Sequence, residues 1–440
     1  MSHHGEDRAG TRLPEGVPPV RRPRWLPRLP PVPGPWRDRR NKLLCIAAAL
    51  GIGASLWAYW LTYTDVRDRA TSEDQVAEAC AGIVDAEAAM DLRGGVVRAR
   101  PGSGDNDELR LDALPGSCQI YRVPGPGKSD GLFSLIVRTS ADDAPMNVVG
   151  DETWLEPFGH REDREFRPDD VTRRADHAEP RPLGDGALGH YSDDSVTVRA
   201  DCASGNPASL QVTARADYDD VSDEDRRILA ELARGSAAQA ASRLKCDSQL
   251  SRISMQLKTP ERELRAPKAA NASCAWYGRH LDESRRGRLP DRMLEAPTGA
   301  MSTTETCLLA ASPTSVREIA PHLSGSQREY ADRALTHSPW WMRTASFFGA
   351  ETESVAFEGL DDYEYVKAGT AGGGAGPGVW WASSACDGRP AVHTLTVSYT
   401  YDDVVLDRLP ALFRAYVEDI TERRGCTDVE FPAPSAFEAD

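Results

Sequence analysis

Residues 195–221 read SVTVRADCASGNPASLQVTARADYDDV, and residues 379–404 read VWWASSACDGRPAVHTLTVSYTYDDV. In the first stretch Val196, Val198, Ala200 and Cys202 alternate, and Leu210, Val212, Ala214, Ala216 and Tyr218 alternate after turn residues Gly205 and Pro207. A period of two puts those side chains on one face of a strand, so the stretch predicts a β-hairpin whose cysteine faces the core. The second stretch repeats the plan with Trp380, Ala382, Ser384 and Cys386, a turn at Gly388 and Pro390, then Leu395, Val397, Tyr399 and Tyr401. Both end in Tyr-Asp-Asp-Val, at 218–221 and 401–404. Carboxylates there suit the opening of a helix, where free amides and the positive dipole end favour negative charge. Ser222 and Asp225 have capping-box spacing.

Helical periodicity follows in both places. Leu229, Leu232, Ala233, Ser236, Ala237, Ala240 and Leu244 share a stripe, as do Leu409, Leu412, Phe413, Tyr416, Val417 and Ile420. Pro410 fits only a first turn, and Gly425 supplies a stop. An earlier helix is expected over 73–92, with Val76, Cys80, Ile83, Val84 and Ala88 on one face. Strands followed by amphipathic helices make an α+β fold, helices packed on an antiparallel sheet. Ser117-Cys118-Gln119-Ile120-Tyr121 also matches Ser273-Cys274-Ala275-Trp276-Tyr277, and each helix leads to a cysteine, Cys246 or Cys426. Matched features in the same order imply duplication. The expected layout is a repeat over 72–246, a related repeat over 247–430, a linker over 64–71 and a loose tail over 431–440.

The charge is unevenly spread. Residues 1–42 hold ten basic and four acidic side chains, a net of +6 in a chain of −16, which leaves −22 beyond them. The same segment holds nine of the 31 prolines. It cannot bury a core and reads as a disordered Pro/Arg-rich tail. Leu43 to Tyr63 then carries no charge over 21 residues, enough to cross a hydrocarbon core of about 30 Å. Arg37, Arg39, Arg40 and Lys42 before it orient the N-terminus to the cytoplasm, while Trp57, Tyr59, Trp60 and Tyr63 suit the opposite headgroup layer. No small-x-small cleavage site ends the run, so it reads as a single-pass anchor. The net negative charge outside the tail does not suggest nucleic-acid binding.

Cys45 falls inside the span, and eight cysteines lie beyond it. An even set in an exported region reads as disulfides. Eight cysteines allow 105 pairings. Locality favours Cys80–Cys118, Cys202–Cys246, Cys274–Cys307 and Cys386–Cys426, with Cys246–Cys274 as the rival to two of these. No cysteine or histidine spacing matches a zinc site, and no metal or cofactor is expected.

Chemistry is hard to find. There is no G-x-S-x-G elbow, H-E-x-x-H pair or phosphate loop. Ser242-Arg243-Leu244-Lys245 fits S-x-x-K, but Lys258-Thr259 is followed by Pro260 and no K-T-G companion exists. The acidic run 217–225 departs from a calcium loop at Val221 and Ser222, and reads as helix capping and a solvated face. Trp340, Trp341, Trp380 and Trp381 stand out. The second doublet follows Gly372-Gly373-Gly374-Ala375-Gly376-Pro377-Gly378, and indoles beside a mobile loop would make a ligand platform. Adjacent residues on a strand face opposite ways, so core packing of one in each doublet competes with that reading.

Only six lysines among 52 basic residues, with abundant Ala, Gly, Asp and Arg, point to a high-GC genome. The Arg/Pro tail, the 43–63 anchor and the paired-cysteine repeats resemble uncharacterised membrane-anchored envelope proteins of high-GC actinobacteria. The resemblance lies in layout and implies no catalytic residue. The sequence therefore points to a non-enzymatic outer module that binds a cell-wall component, lipid or envelope protein. An envelope hydrolase and a transmembrane signalling protein are the alternatives. Ligand and oligomeric state are not legible.

Overall fold

The computed structural model describes residues 35–438 apart from 105–107, 126, 141–144, 146, 150–155, 159–169, 204–206, 254–255, 337, 359–362 and 375–377. The proline-rich tail through residue 34, Trp154 and residues 439–440 therefore lie outside the described residues. The described residues fall into two compact units, divided between Thr64 and Asp65. Helix α1 (Pro35–Ala79) contains the one segment among the described residues long and apolar enough to cross a membrane. Residues 64–71, expected as a linker, are helical within it. The helix expected over 73–92 is interrupted, because Ala81 and Gly82 take positive φ angles of 53° and 63° before α2 (Ala86–Met90) resumes.

In the first half, β1 (Ala99–Pro101), β2 (Gly116–Gly125), β3 (Lys128–Thr139), β5 (Arg181–Pro182), β6 (Gly189–Tyr191), β7 (Ser195–Asp201) and β8 (Ser209–Ala216) form one antiparallel sheet, ordered β1-β2-β3-β8-β7-β6-β5. Strand β4 (Asn147–Val148) belongs elsewhere. The alternation read in 195–216 holds. Val196, Val198, Ala200, Leu210, Val212, Ala214 and Ala216 are buried under α3 (Asp223–Arg243), which Ser222 and Asp225 cap reciprocally. The opposite face is polar, and Thr197 and Thr213 share a hydroxyl hydrogen bond of 2.9 Å there.

The second half contains α4 (Ala275–Glu283), β9 (Arg292–Glu295), β10 (Thr304–Ala310), α5 (Pro313–Ile319), α6 (Ser326–Thr336) and β11 (Trp341–Phe348). It continues through β12 (Val355–Glu358), β13 (Tyr363–Tyr365), β14 (Gly372–Gly373), β15 (Val379–Cys386), β16 (Arg389–Val397), α7 (Tyr401–Val405), α8 (Leu409–Arg424) and β17 (Thr427–Glu430). Its antiparallel sheet runs β14-β15-β16-β11-β10-β9, with β17 also on β15. Four strands correspond in order, β2-β3-β8-β7 in one sheet and β10-β11-β16-β15 in the other.

The ladders match in register too. Cys118, Leu135, Ala214 and Val196 are successive cross-strand partners, and Cys202 lies six residues beyond Val196. Cys307, Thr344, Leu395 and Trp380 are likewise successive partners, and Cys386 lies six residues beyond Trp380. The two short motifs do not superpose. Cys118 is in mid-strand, whereas Cys274 directly precedes α4, so Cys307 is the positional counterpart of Cys118. Tyr218 precedes a left-handed residue, Asp220, while Tyr401 follows one, Thr400.

Four disulfides join Cys80–Cys118, Cys202–Cys246, Cys274–Cys307 and Cys386–Cys426. Each would stabilise by about 2–4 kcal/mol, chiefly by restricting the unfolded chain. Cys45 is free. The halves are stitched together rather than strung as beads. Strand β4 pairs in parallel with β12, and the buried Arg199 and Glu351 meet across the junction at 3.4 Å. Phe158 and Ala175, from the first half, share a cluster with Leu294, Leu308 and Trp341 of the second sheet.

Candidate functional site

The tryptophan platform expected from the sequence is mostly core. Trp340, Trp341 and Trp380 are 0%, 3% and 6% exposed. Trp340 stacks on Tyr401 with centroids 5.0 Å apart, and Trp341 packs on the opposite face among Leu294 and Leu308. Trp380 stacks on Phe437 at 5.4 Å, and its indole N–H donates to the Ala436 carbonyl at 2.7 Å. Residues 431–438, expected as a loose tail, therefore supply a lid for that ring. Only Trp381 is part-exposed, tilted 5.7 Å from Phe357. The glycines before it serve close packing. A Cβ at Gly372 would meet the Trp381 ring at 2.8 Å, and one at Gly374 would meet Phe357 at 2.9 Å. A large apolar ring gains more from burial than from water, and the second sheet offers two covered faces to receive these rings.

A Ser–His constellation also lies in this core. His393 sits between Ser346 at 2.7 Å (Nδ1) and Ser384 at 2.8 Å (Nε2), and Ser346 continues to Tyr416 at 2.5 Å. Burial pushes the imidazole down to about 3, so it is neutral and uses one nitrogen to donate and the other to accept. His393 and Ser346 are completely shut from solvent. This is a satisfied polar network linking β11, β15, β16 and α8 rather than an accessible nucleophile.

The open site is a cleft of about 1600 Å³ beside the end of β8. Its walls are the β8–α3 turn at 215–221, Asp193 and Asp194, the segment 170–177 and the strap 259–265 that leads into the second half. The strap is held on both edges. The Ala175 amide donates to the Arg262 carbonyl and the Leu264 amide to the Arg173 carbonyl, both at 2.9 Å. On the other side Arg265 and Met293 exchange backbone hydrogen bonds of 2.8 and 2.7 Å.

Arg226, on the first turn of α3, organises the walls. It is fully buried, and its guanidinium donates to the carbonyls of Leu257 (3.1 Å), Asp193 (3.0 Å) and Val221 (2.8 Å), and to Asp223 and Thr259. One side chain thus ties the helix, the 193–194 turn and the strap. A guanidinium suits this task because its donors form a rigid planar fork. The sequence offered no signal for it, since an arginine in a helix's first turn reads as solvated.

The cleft is lined by nine carboxylates, six arginines and His177. Several acids are internally neutralised: Asp194 by Arg215 at 3.0 Å, Asp193 by Arg262 at 3.4 Å, and Asp170 and Glu261 by Arg292 and Arg265. His177, Asp193 and Asp194 bring ligand atoms within 4.8 Å of one another, a spacing open to a metal ion. Their oxygens are already engaged, however. Asp193 accepts from the Ala178 amide at 3.0 Å and Asp194 from the Ser192 hydroxyl at 2.9 Å, in addition to the arginines. That donor set fits an ion-pair network better than a metal centre.

Asp217 differs. Its Oδ1 accepts from Ser134 at 3.2 Å, its Oδ2 is shut from solvent, and the Gln119 side chain beside it also favours the charged carboxylate. Burial raises the pKa of this carboxyl. Gly131 makes the placement possible, because a Cβ there would lie 2.4 Å from the Asp217 carbonyl oxygen. The run 217–225, read from the sequence as capping and a solvated face, therefore does both that and more: Ser222 and Asp225 cap, and Asp217 to Val221 wall the cleft. No protein-family model, no curated protein and no solved structure matches this chain.

Proposed function

We propose that this protein is a single-pass membrane protein of an actinobacterial-type envelope. Its N-terminus is cytoplasmic, and its duplicated extracytoplasmic module binds a polar wall component or envelope protein rather than catalysing a reaction. The topology rests on the charges before Leu43 and on four disulfides, which persist in oxidising compartments. Duplication is supported by the common strand order and by the shared cysteine register, and no longer by the short motifs.

The binding reading is carried by one observation, the charged cleft between the first half and the strap. Ligand sites favour such junctions, where two packed elements leave a concave, pre-formed surface. The tryptophans contribute stability, and the ligand contacts shift to the cleft. Thermal unfolding of the oxidised full-length protein in detergent, with muropeptides, glycans, lipid headgroups and envelope peptides, tests this. A ligand that binds only the native state must raise the midpoint. The reading requires a shift that Glu263→Arg, on the cleft wall, reduces. A shift insensitive to that change, or none across the panel, would sink it.

A further inference from the structure

We propose that the tip of the β2–β3 hairpin, around Gly125 and Lys128, rests in the phospholipid headgroup layer beside the point where α1 leaves the membrane. This rests on the reading of residues 43–63 as a span, and adds a lipid-facing surface to the outer module. Three ties fix β1 and β2 along α1. Cys80 is bonded to Cys118. The Ser72 hydroxyl accepts from the Ala99 amide at 3.1 Å, and Ala99 faces Arg122 across the β1–β2 ladder. Asp68 accepts from the Arg98 guanidinium at 2.7 Å, and the Arg98 carbonyl takes the Val123 amide at 2.9 Å.

The strand and the helix keep step. From Cys118 to Arg122 the strand covers about 13 Å, and from Cys80 back to Ser72 the helix covers about 12 Å. Strand β2 therefore runs along α1 toward its uncharged end. Gly125 lies about 10 Å of strand beyond Arg122, which matches about six or seven helical residues before Ser72. The tip is thus level with Asp65 and Val66. Asp65 follows Tyr63, the end of the uncharged run, by only about 3 Å of helix rise. A headgroup layer is about 5–7 Å deep on each side of the hydrocarbon. The second observation is what this end displays. Among the described residues of the first half beyond the span, the exposed large apolar side chains are Val66 and Val97, at 64% and 40%. Val97 adjoins Arg98, and exposed Lys128 faces Gly125 across the hairpin. Valines gain from leaving water for the interface, while a lysine's long stem lets its ammonium reach phosphate. Asp65 and Asp130 are exposed here too, so the contact asks for phosphate within reach of Lys128, not for a surplus of negative lipid.

The test uses the oxidised full-length protein in a Cys45→Ala background, carrying a bimane label at Val97→Cys or at Ser103→Cys. Each is reconstituted into phosphatidylcholine vesicles that contain a headgroup-nitroxide lipid. Ser103 is exposed and lies roughly 20 Å farther along the chain from the level of the tip. The label at 97 should be quenched about threefold more than the label at 103, because only the first reaches the headgroup layer. Lys128→Glu, a change at an exposed position, should cut the quenching at 97 by about half. Equal quenching at 97 and 103, in protein that still floats with the vesicles, overturns the contact while leaving the span in place. Quenching at 97 that Lys128→Glu leaves unchanged overturns the part assigned to phosphate. If the protein no longer floats with the vesicles after a carbonate wash, the span and the contact fall together.

Discussion

The two halves share a strand order and a cysteine register, yet at one matched place the first carries a cleft wall and the second a buried ring. Counting along the matched ladders, Trp341 and Ser398 in the second half occupy the places of Leu132 and Asp217 in the first, and each pair is joined by the same backbone hydrogen bond. Trp340 then stands where the first half has Gly131. In the second half that indole stacks on Tyr401 and fills the core. In the first, the missing side chain lets the Asp217 backbone close in, and the turn beyond it walls a cleft. A similar backbone ladder thus carries a glycine beside a cleft wall in one half and a buried indole at the matched position in the other.

The largest expected effect comes from removing the plug. Trp340→Ala should cost about 3–5 kcal/mol, since it deletes a fully buried ring that the surroundings only partly replace. Denaturant unfolding would measure it. A cost under about 1 kcal/mol would mean that the second half does not depend on being filled, and the contrast with the first would dissolve.

The repeated aspartates sharpen the contrast through pH. Asp402 is buried, and desolvation, with the nearby Asp403 charge, pushes its carboxyl up to about 6. A folded-state pKa above the unfolded value means that the native state holds the proton more tightly. Stability is therefore full below the unfolded pKa near 4 and is lost as pH rises through about 6. Asp402→Asn should stabilise the protein by roughly 2–3 kcal/mol at pH 7, with the gain vanishing below about pH 4. The exposed Asp219 holds the motif-equivalent place, and Asp219→Asn should change stability by less than about 0.5 kcal/mol at either pH. Melting curves across pH 4 to 8 would decide.

A smaller cost than at Trp340 tests the recess itself. Gly131→Ala should cost about 1–3 kcal/mol, because the new methyl forces the Asp217 backbone away. The same change should weaken any cleft ligand more than Asp219→Asn does. If binding survives while stability falls, Gly131 serves the fold alone and the cleft does not depend on its turn.

Much of this could be read from particular residues. Alternation in 195–216 located β7, β8 and their buried face, the Ser222–Asp225 spacing located the start of α3, and Gly425 marked the end of α8 in a left-handed cap. Local pairing of cysteines agreed with all four disulfides. The site was another matter. Sequence pointed to the four tryptophans because they are conspicuous, whereas exposure is a property of what lies on the other side of a ring. Phe437 over Trp380 and Tyr401 against Trp340 come from distant points of the chain.

The sequence by itself determined the local outcomes: an uncharged span after a basic tail, α+β elements, helix caps and a set of staples. These follow from hydropathy, period and backbone chemistry acting over a few neighbouring residues. Only tertiary structure decided which strands lie side by side, that the halves interlock, and where the cleft opens. Those outcomes depend on ladder register and on contacts such as Arg226 to Leu257 or Arg265 to Met293. Such contacts join residues that no local pattern connects, because a guanidinium or an edge amide takes whatever partner the fold brings within about 3 Å.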